Sequence, residues 1–321
     1  MHIRRSAPLL LYLRILKVQE MKRIIIALTG ALLLASCSGS DSDSTIGPQR
    51  SANSNANSTA LHREYGRMEF PHVSQTSTNT VLIHYAGGEL NYATEWDTQK
   101  KAQRWSCYEL YPSNLETHTT RYYSDTNQYP KDPLLADSLQ WLTDPYWRSG
   151  FDHGHICPSA DRLNSYEANY QTFFMTNMQP MRNGFNAGVW ANMEKMVRNQ
   201  ALRRDFCDTL YVCKGGTIDG GTFNDGGKVV STTWMTTGKK LIIPRYYFMA
   251  LLKVKNGVYH AIAFWIDHEK YANSKETHLA QFAISIDELE RRTGIDFFCN
   301  LPDQREAVIE SKIDTSMWGL N

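Results

Sequence analysis

The chain is short of several things, and each shortage removes a class of function. Its most apolar stretch, Ile24 to Ala35, covers 12 residues and is interrupted by Thr29 and Gly30. At about 1.5 Å per helical residue it cannot cross a hydrocarbon core of about 30 Å, so no permanent spanning helix is expected. There are only 6 cysteines, none in a CxxC pair, which leaves a zinc-ribbon reading little support. The Gly-rich run at 215–227 lacks the pattern of a phosphate-cradling P-loop. No internal repeat is present. No excess of one charge is present either, because the net value is +1. Even that value misleads. Arg4, Arg5, Arg14, Lys17, Lys22 and Arg23 against Glu20 contribute +5, which leaves the remainder at −4. A mildly acidic protein does not hold nucleic acid by bulk charge. Any attraction to phosphodiesters must come from local basic groups and a metal.

What is present is aromatic. With 8 Trp, 17 Tyr and 12 Phe, the chain can bury enough apolar surface to fold alone. The N-terminus carries an address. Met21-Lys22-Arg23 is basic, the apolar stretch follows, and Leu34-Ala35-Ser36-Cys37 ends it. This is the layout of a secretory signal peptide, and its ending resembles a bacterial lipobox. We expect the true start at Met21, residues 1–36 to be an upstream extension plus signal, and Cys37 to be lipidated. That places the protein in a bacterial cell envelope, with the outer membrane as the expected site. Residues 38–62 are rich in Ser, Asn and Asp, so 37–79 reads as a lipidated cysteine and a disordered tether. The folded domain is expected over 80–312, with a tail at 313–321. In an exported protein Cys107, Cys157, Cys207, Cys213 and Cys299 are free to form disulfides, but the odd count leaves one unpaired within a monomer. A Cys107–Cys157 pair is conceivable.

Within the domain, Arg104 to Tyr111 has strand-like content, and Asn186 to Arg204 has apolar residues at helical spacing. Leu210 to Cys213 reads as a buried strand ending at Gly215-Gly216, and 215–240 as a loop or loose hairpin. Phe248 to Val254 and Tyr259 to Ile266 read as strands joined by a turn at Asn256-Gly257. Ser285 and Glu288 form a capping box for a helix stopping at Thr293-Gly294. Strands and helices mix without regular alternation, which predicts an α+β fold.

The chemistry concentrates between Gly150 and Glu194, in GFDHGHICPSADR, TNMQP and FNAGVWANME. Asp152, His153 and His155 flank Gly154, where backbone can approach a ligand. Asn177 and Asn186 follow. On one continuous helix Asn186 and Glu194 would project 80° apart, from the same broad side. A histidine, an amide oxygen and a carboxylate suit hydrolysis assisted by a hard metal such as Mg²⁺, with Mn²⁺ or another divalent cation as alternatives. Singly, each residue has a plainer reading: a structural histidine, a helix cap, a solvated glutamate. His153, His155 and Cys157 together would instead suit a transition metal.

In combination, Asp152-His153-Gly154-His155, Asn177-Met178-Gln179-Pro180 and Asn186-x-Gly188-x-Trp190-x-x-x-Glu194 resemble the DNA/RNA non-specific endonucleases. These are endonuclease G-like members of the ββα-metal (His-Me finger) superfamily. The likeness continues through Ile243-Pro244, His260 to Phe264, Ser285 to Gly294 and Leu301 to Asp303, and so spans roughly residues 80–310. It implies an α+β ββα-metal fold with a central mixed or antiparallel sheet. It also implies phosphodiester hydrolysis in DNA and RNA with little sequence preference, leaving 5′-phosphates. His155 would be the general base and Asn186 the direct Mg²⁺ ligand. Glu194 would act on the metal through water, and Asn177 would orient the His155 region. Arg121 would contact phosphate, and Asp152 would brace the loop. The partners implied are DNA, RNA and, through Cys37, a membrane; a homodimer is compatible with the sequence.

The family has arginine where this chain has His153. Three readings are open: His153 is a weaker phosphate contact, another arginine such as Arg162 or Arg182 supplies the charge, or the enzyme is impaired. The competing functions are a non-catalytic nucleic-acid-binding lipoprotein, a transition-metal protein, and a nuclease toxin, against which the lipobox argues.

Overall fold

Alternation of side chains along the strands sets the architecture. The computed structural model describes residues 52–320 apart from 75, 234 and 239, so the signal segment and Cys37 lie outside the described residues. The strands are β1 (Asn79–Ala86), β2 (Glu89–Asp97), β3 (Ala102–Leu110), β4 (Asp152–His155), β5 (Met178–Met181), β6 (Thr209–Gly216), β7 (Thr222–Asp225), β8 (Lys228–Ser231), β9 (Met235–Thr236), β10 (Ile242–Ile243), β11 (Tyr246–Lys255), β12 (Val258–Asp267) and β13 (Ala283–Ile284). The main helices are α1 (Tyr166–Gln171), α2 (Ala191–Ala201), α3 (Ile286–Thr293) and α4 (Asp303–Glu310). Seven strands form one sheet in the order β1-β2-β3-β6-β11-β12-β13, and every neighbouring pair is antiparallel. The α+β expectation holds, and the choice between mixed and antiparallel resolves to antiparallel.

The centre of this sheet is buried on both faces. On β11, Tyr247, Met249 and Leu251 join α2 residues Met193 and Val197 in one core. Their neighbours Phe248, Ala250 and Leu252 face the other way and pack with Ile286 and Leu289 of α3. A strand covered twice reads as a continuous apolar run, which is why β11 is legible in the sequence. Asn256 and Gly257 both have positive φ, +50° and +76°, as a tight turn between β11 and β12 requires. At α3 the Ser285 hydroxyl accepts from the Glu288 amide at 3.1 Å, and Gly294 ends the helix at φ +70°. The Glu288 side chain, however, goes to Arg291 and Arg292 rather than back to the cap.

The domain is larger than the composition suggests. Residues expected in a disordered tether are fixed: the Asn57 amide donates to the carbonyls of Tyr65 and Pro71, Asn53 donates to that of Leu301, and Phe70 is fully buried. Polar residues here satisfy backbone groups instead of water. The C-terminal tail is docked too, with Trp318 buried and its carbonyl bound by Gln200. The five cysteines among the described residues are all free and buried, so no Cys107–Cys157 disulfide forms. Across the sheet Cys107 lies opposite Cys213. Among the described residues no helix is long and apolar enough to cross a membrane.

One helix expectation fails in an informative way. Asn186 to Arg204 is not a single α-helix. A turn at Asn183–Phe185 leads into a π-helical turn at Asn186–Trp190, within which Gly188 is non-helical at φ −106°, ψ −109°, before α2 begins. The 80° relation between Asn186 and Glu194 therefore does not apply. The cause is the loop at 272–276: the Ser274 carbonyl accepts from the Val189 amide at 3.1 Å, and a Cβ on Gly188 would meet that oxygen at 2.0 Å. Gly188→Ala should destabilise the fold by about 1–3 kcal/mol through overpacking, read as a drop in thermal midpoint. An unchanged melt would show that the loop does not set the π-turn.

Candidate active site

The site is built on a small ββα unit. β4 and β5 pair antiparallel with His155 opposite Met178 and Asp152 opposite Met181, and the helical segment Asn183–Ala201 follows. Gly154 serves this pairing: a Cβ there would meet Met181 Sδ at 2.4 Å. The glycine admits the neighbouring strand rather than a ligand, contrary to expectation.

Asn177 clasps the end of the hairpin. Its Oδ1 accepts from the Cys157 amide at 2.9 Å, and its Nδ2 donates to the carbonyls of Cys157 and Thr172, each at 2.8 Å. Its own carbonyl accepts from the Ile156 amide at 3.1 Å. These contacts fix the two residues after His155. The Trp190 indole adds a bond to the His155 carbonyl at 3.3 Å while its ring lies in the core.

His155, Asn186, Glu194, Asp152, His153 and Arg121 all line one polar cleft of about 410 Å³. The His155 ring stands edge-on to Phe173 at 4.8 Å, and its Nε2 is buried without a hydrogen-bond partner. Burial, with Arg121 and His153 nearby, pushes its pKa down to about 3, against a backbone hydrogen bond from the ring to residue 153. The imidazole is therefore neutral at pH 7, with an accepting nitrogen in reserve. Asn186 donates from Nδ2 to Asp152 Oδ2 at 3.1 Å, and Asn183 donates to the same oxygen at 3.0 Å. Asp152 is thus a brace, as expected, and it orients the Asn186 amide so that the oxygen is left for the cleft.

Glu194 meets a residue that the sequence reading missed. Lys214 Nζ donates to Glu194 Oε1 at 3.2 Å, although Lys214 is only 1% exposed. Burial raises the Glu194 pKa and Lys214 opposes the rise. The available signal was phase: on β6, Lys214 shares a face with Leu210 and Val212, both in the core beneath α2. A lysine in step with a buried face needs an anion.

His153 is held differently from a free phosphate donor. Its ring is sandwiched between Tyr129 at 3.6 Å and Tyr146 at 4.2 Å, and its Nε2 lies 3.0 Å from Asp144 Oδ1. Arg162 does not replace the missing arginine, because it is buried and bonded to the carbonyls of Asn91, Asp161 and Glu109. Arg182 pairs with Glu269 and lies over Phe151 rather than lining the cleft. Arg121 does line it, exposed, with its guanidinium 4.8 Å from the Phe173 ring centre. Nor do His153, His155 and Cys157 converge on a metal: among the described residues they form no ligand cluster, and burial pushes the Cys157 thiol up to about 12.

Comparison with known proteins bears on this cleft. A family model described as DNA/RNA non-specific endonuclease matches residues 70–304. A nuclease of Nostoc sp. (strain PCC 7120) is 29% identical over 241 residues, covering 74% of this chain and 82% of that protein. The mitochondrial nuclease EXOG of Danio rerio is 27% identical, covering 77% and 68%. A crystal structure of the EndoG/EndoGI complex contains a chain that superposes with a TM-score of 0.58 at 19% identity, covering 70% of this chain and 88% of that one. That last likeness concerns the fold, and the ββα-metal class expected from the sequence is what it supports.

Asn177→Ala would strip the Cys157 amide and two carbonyls of their buried partners. At about 1–3 kcal/mol for each buried group left unsatisfied, the loss should reach at least about 3 kcal/mol in urea unfolding. A loss below about 1 kcal/mol would mean that water replaces the clasp.

Proposed function

The chain belongs to the DNA/RNA non-specific endonuclease family, and from that premise we propose that its polar cleft cuts DNA and RNA with His155 as general base and a divalent cation held by Asn186. It is a nuclease, a hydrolase of phosphodiester bonds with little sequence preference, as its family and its nuclease relatives indicate. The observation that carries the residue roles is that His155, with a buried and unpartnered Nε2, lines a cleft shared with Asn186 and Glu194.

The family works with a divalent cation, and the donors present fit one. Asn186 spends its amide nitrogen on Asp152, which frees a neutral oxygen, and Glu194 adds an anionic one. All-oxygen donors with room for water suit Mg²⁺, our choice of metal, held by Asn186 directly and by Glu194 through water. When bound, such an ion supplies Lewis-acid stabilisation of phosphate charge. The protein residues do the remainder. Neutral His155 accepts a proton from the attacking water at Nε2. Trp190 and the Asn177 clasp keep that atom in place. Lys214 favours the ionised form of Glu194. Arg121 meets the phosphate, and His153, tied to Asp144 between two tyrosines, shapes the cleft wall rather than replacing the family arginine as a donor. The reaction touches only the nucleic-acid backbone, so little base specificity follows, and 5′-phosphate ends are the expected products.

The N-terminal sequence supports an exported lipoprotein anchored through Cys37 to a bacterial envelope, with the outer membrane as our proposed site. Labelled palmitate should enter the intact protein and not the Cys37→Ser variant; equal labelling of both would remove the anchor.

The catalytic roles are tested on supercoiled plasmid and total RNA. Cleavage of both should require Mg²⁺ and stop with EDTA. His155→Ala should lose at least about 10²–10⁴-fold. Arg121→Ala should lose about 10- to 150-fold, the worth of a charge-assisted hydrogen bond. In NMR titration of the metal-free protein, His155 should remain neutral from pH 8 to 5. A midpoint near the ordinary 6.5 would contradict its burial, and full activity of His155→Ala would remove it from the reaction. A folded protein that cuts neither substrate would instead be a nucleic-acid-binding lipoprotein.

A further inference from the structure

A second cluster of chemistry-bearing groups lies away from the cleft. Asp287 and Glu290 project from α3 and Glu310 from the end of α4, and one carboxylate oxygen from each falls within 4.8 Å of the others. A group of carboxylates alone is unremarkable on a surface. This one is not wholly on the surface. Glu310 is only 4% exposed, its Oε1 is buried with no hydrogen-bond partner, and its carboxylate stands against the other two. Glu290 spends an oxygen on the Phe297 amide at 2.7 Å and is half-buried.

The surroundings offer little positive charge. Glu306 and Asp296 stand nearby, and both are bridged by the neutral amide of Asn55 at 2.9 and 3.2 Å. Among the described residues no lysine or arginine is ion-paired with any of these five carboxylates, and the cation-forming group nearest in effect is His72, facing Asp296. Burial first, and then the neighbouring acids, push Glu310 up to about 10; burial also pushes Glu290 up to about 8, opposed by its bond from the Phe297 amide and aided by the same acids. Such groups need either protons or a cation to sit together in a folded protein. The donor set is all oxygen, and ligands about 2.4 Å from one centre can stand up to about 4.8 Å apart, which is the reach of Ca²⁺.

We propose that Asp287, Glu290 and Glu310 form a second divalent-cation site, of calcium type, that ties α3 to α4 on the face of the sheet opposite the cleft. The site does not depend on the nuclease reading. Its exposed Asp287 gives the ion an entry path, and the three carboxylates set an affinity on the order of 10⁻⁴–10⁻³ M, in the range of weaker calcium modules.

The test is thermal unfolding and titration calorimetry of the purified full-length protein with CaCl₂ at pH 8, after EDTA treatment. An Asn186→Ala background removes binding at the cleft. There, Ca²⁺ should raise the midpoint saturably, by about 3–6 °C at ten times Kd. In that background Glu310→Gln and Asp287→Asn should each bind Ca²⁺ at least about tenfold more weakly; made singly in the chain that keeps Asn186, each should leave Mg²⁺-dependent cleavage of plasmid at the rate of the unsubstituted protein. Should the buried Glu310→Gln fail to fold, the exposed Asp287→Asn carries the same comparison. No calcium stabilisation in the Asn186→Ala background would overturn the proposal and leave protons as the neutralising species. Unchanged calcium binding in both carboxamide variants would overturn it equally.

Discussion

The position of one imidazole depends on one buried amide. Asn177 binds both backbone groups of Cys157 and the carbonyl of Thr172, and its own carbonyl takes the Ile156 amide. Two chain segments twenty residues apart thereby become one rigid hairpin end. His155 is the last residue of β4 before that clasp, so its ring has little freedom to turn away from the cleft. The helix contributes the second restraint through the Trp190 bond to the His155 carbonyl. Strand and helical segment, which carry His155 and Asn186 with Glu194 respectively, are thus fixed to each other through backbone groups. This leaves the side chains free to face the cleft, and reacting groups held to a fraction of an ångström are what positioned catalysis requires.

Charge follows the same economy. The acidic remainder of the chain offers no broad attraction to phosphate, so the positive groups that matter stand singly. Arg121 is exposed on the cleft wall, whereas Lys214 is buried beneath it against Glu194. The two cations act in opposite ways on the titratable groups beside them. Arg121 helps keep His155 neutral, and Lys214 helps keep Glu194 ionised. A neutral imidazole and a charged carboxylate can then coexist in one cleft near neutral pH, where burial alone would push both toward their uncharged forms.

Much of this was legible in the sequence, and the exceptions share a cause. The doubly buried strands β11 and β12, the Asn256-Gly257 turn and the Ser285 cap follow from local pattern, and the motif residues His155, Asn186, Glu194, Asp152 and Arg121 do meet in one cleft. Local pattern failed where distant backbone intervened. The π-turn at Asn186 exists because the Ser274 carbonyl takes the Val189 amide, and nothing between residues 186 and 194 announces that partner. The same holds for residues 52–70, whose polar composition reads as a tether until Asn300 and Leu301 provide partners. The Tyr129–His153–Tyr146 stack was invisible because its outer members come from a segment with almost no regular structure. The lone histidine in the place of an arginine looked like a loss of charge, but its surroundings form a socket built around a flat ring.

The two faces of the sheet also separate the two demands on the protein. The face under α2 carries the cleft, with Lys214 bonded to Glu194 on its wall. The opposite face receives the incoming chain: Asn53, Asn55 and Asn57 bond to residues 296–306, and Tyr65 and Phe70 enter the core beside Phe297, Phe298 and Leu301. Residues 53–57 therefore pack on the side of the sheet remote from the cleft. A doubly covered sheet thus separates this polar lacing from the cleft, which stays open to a long polymer on the other face.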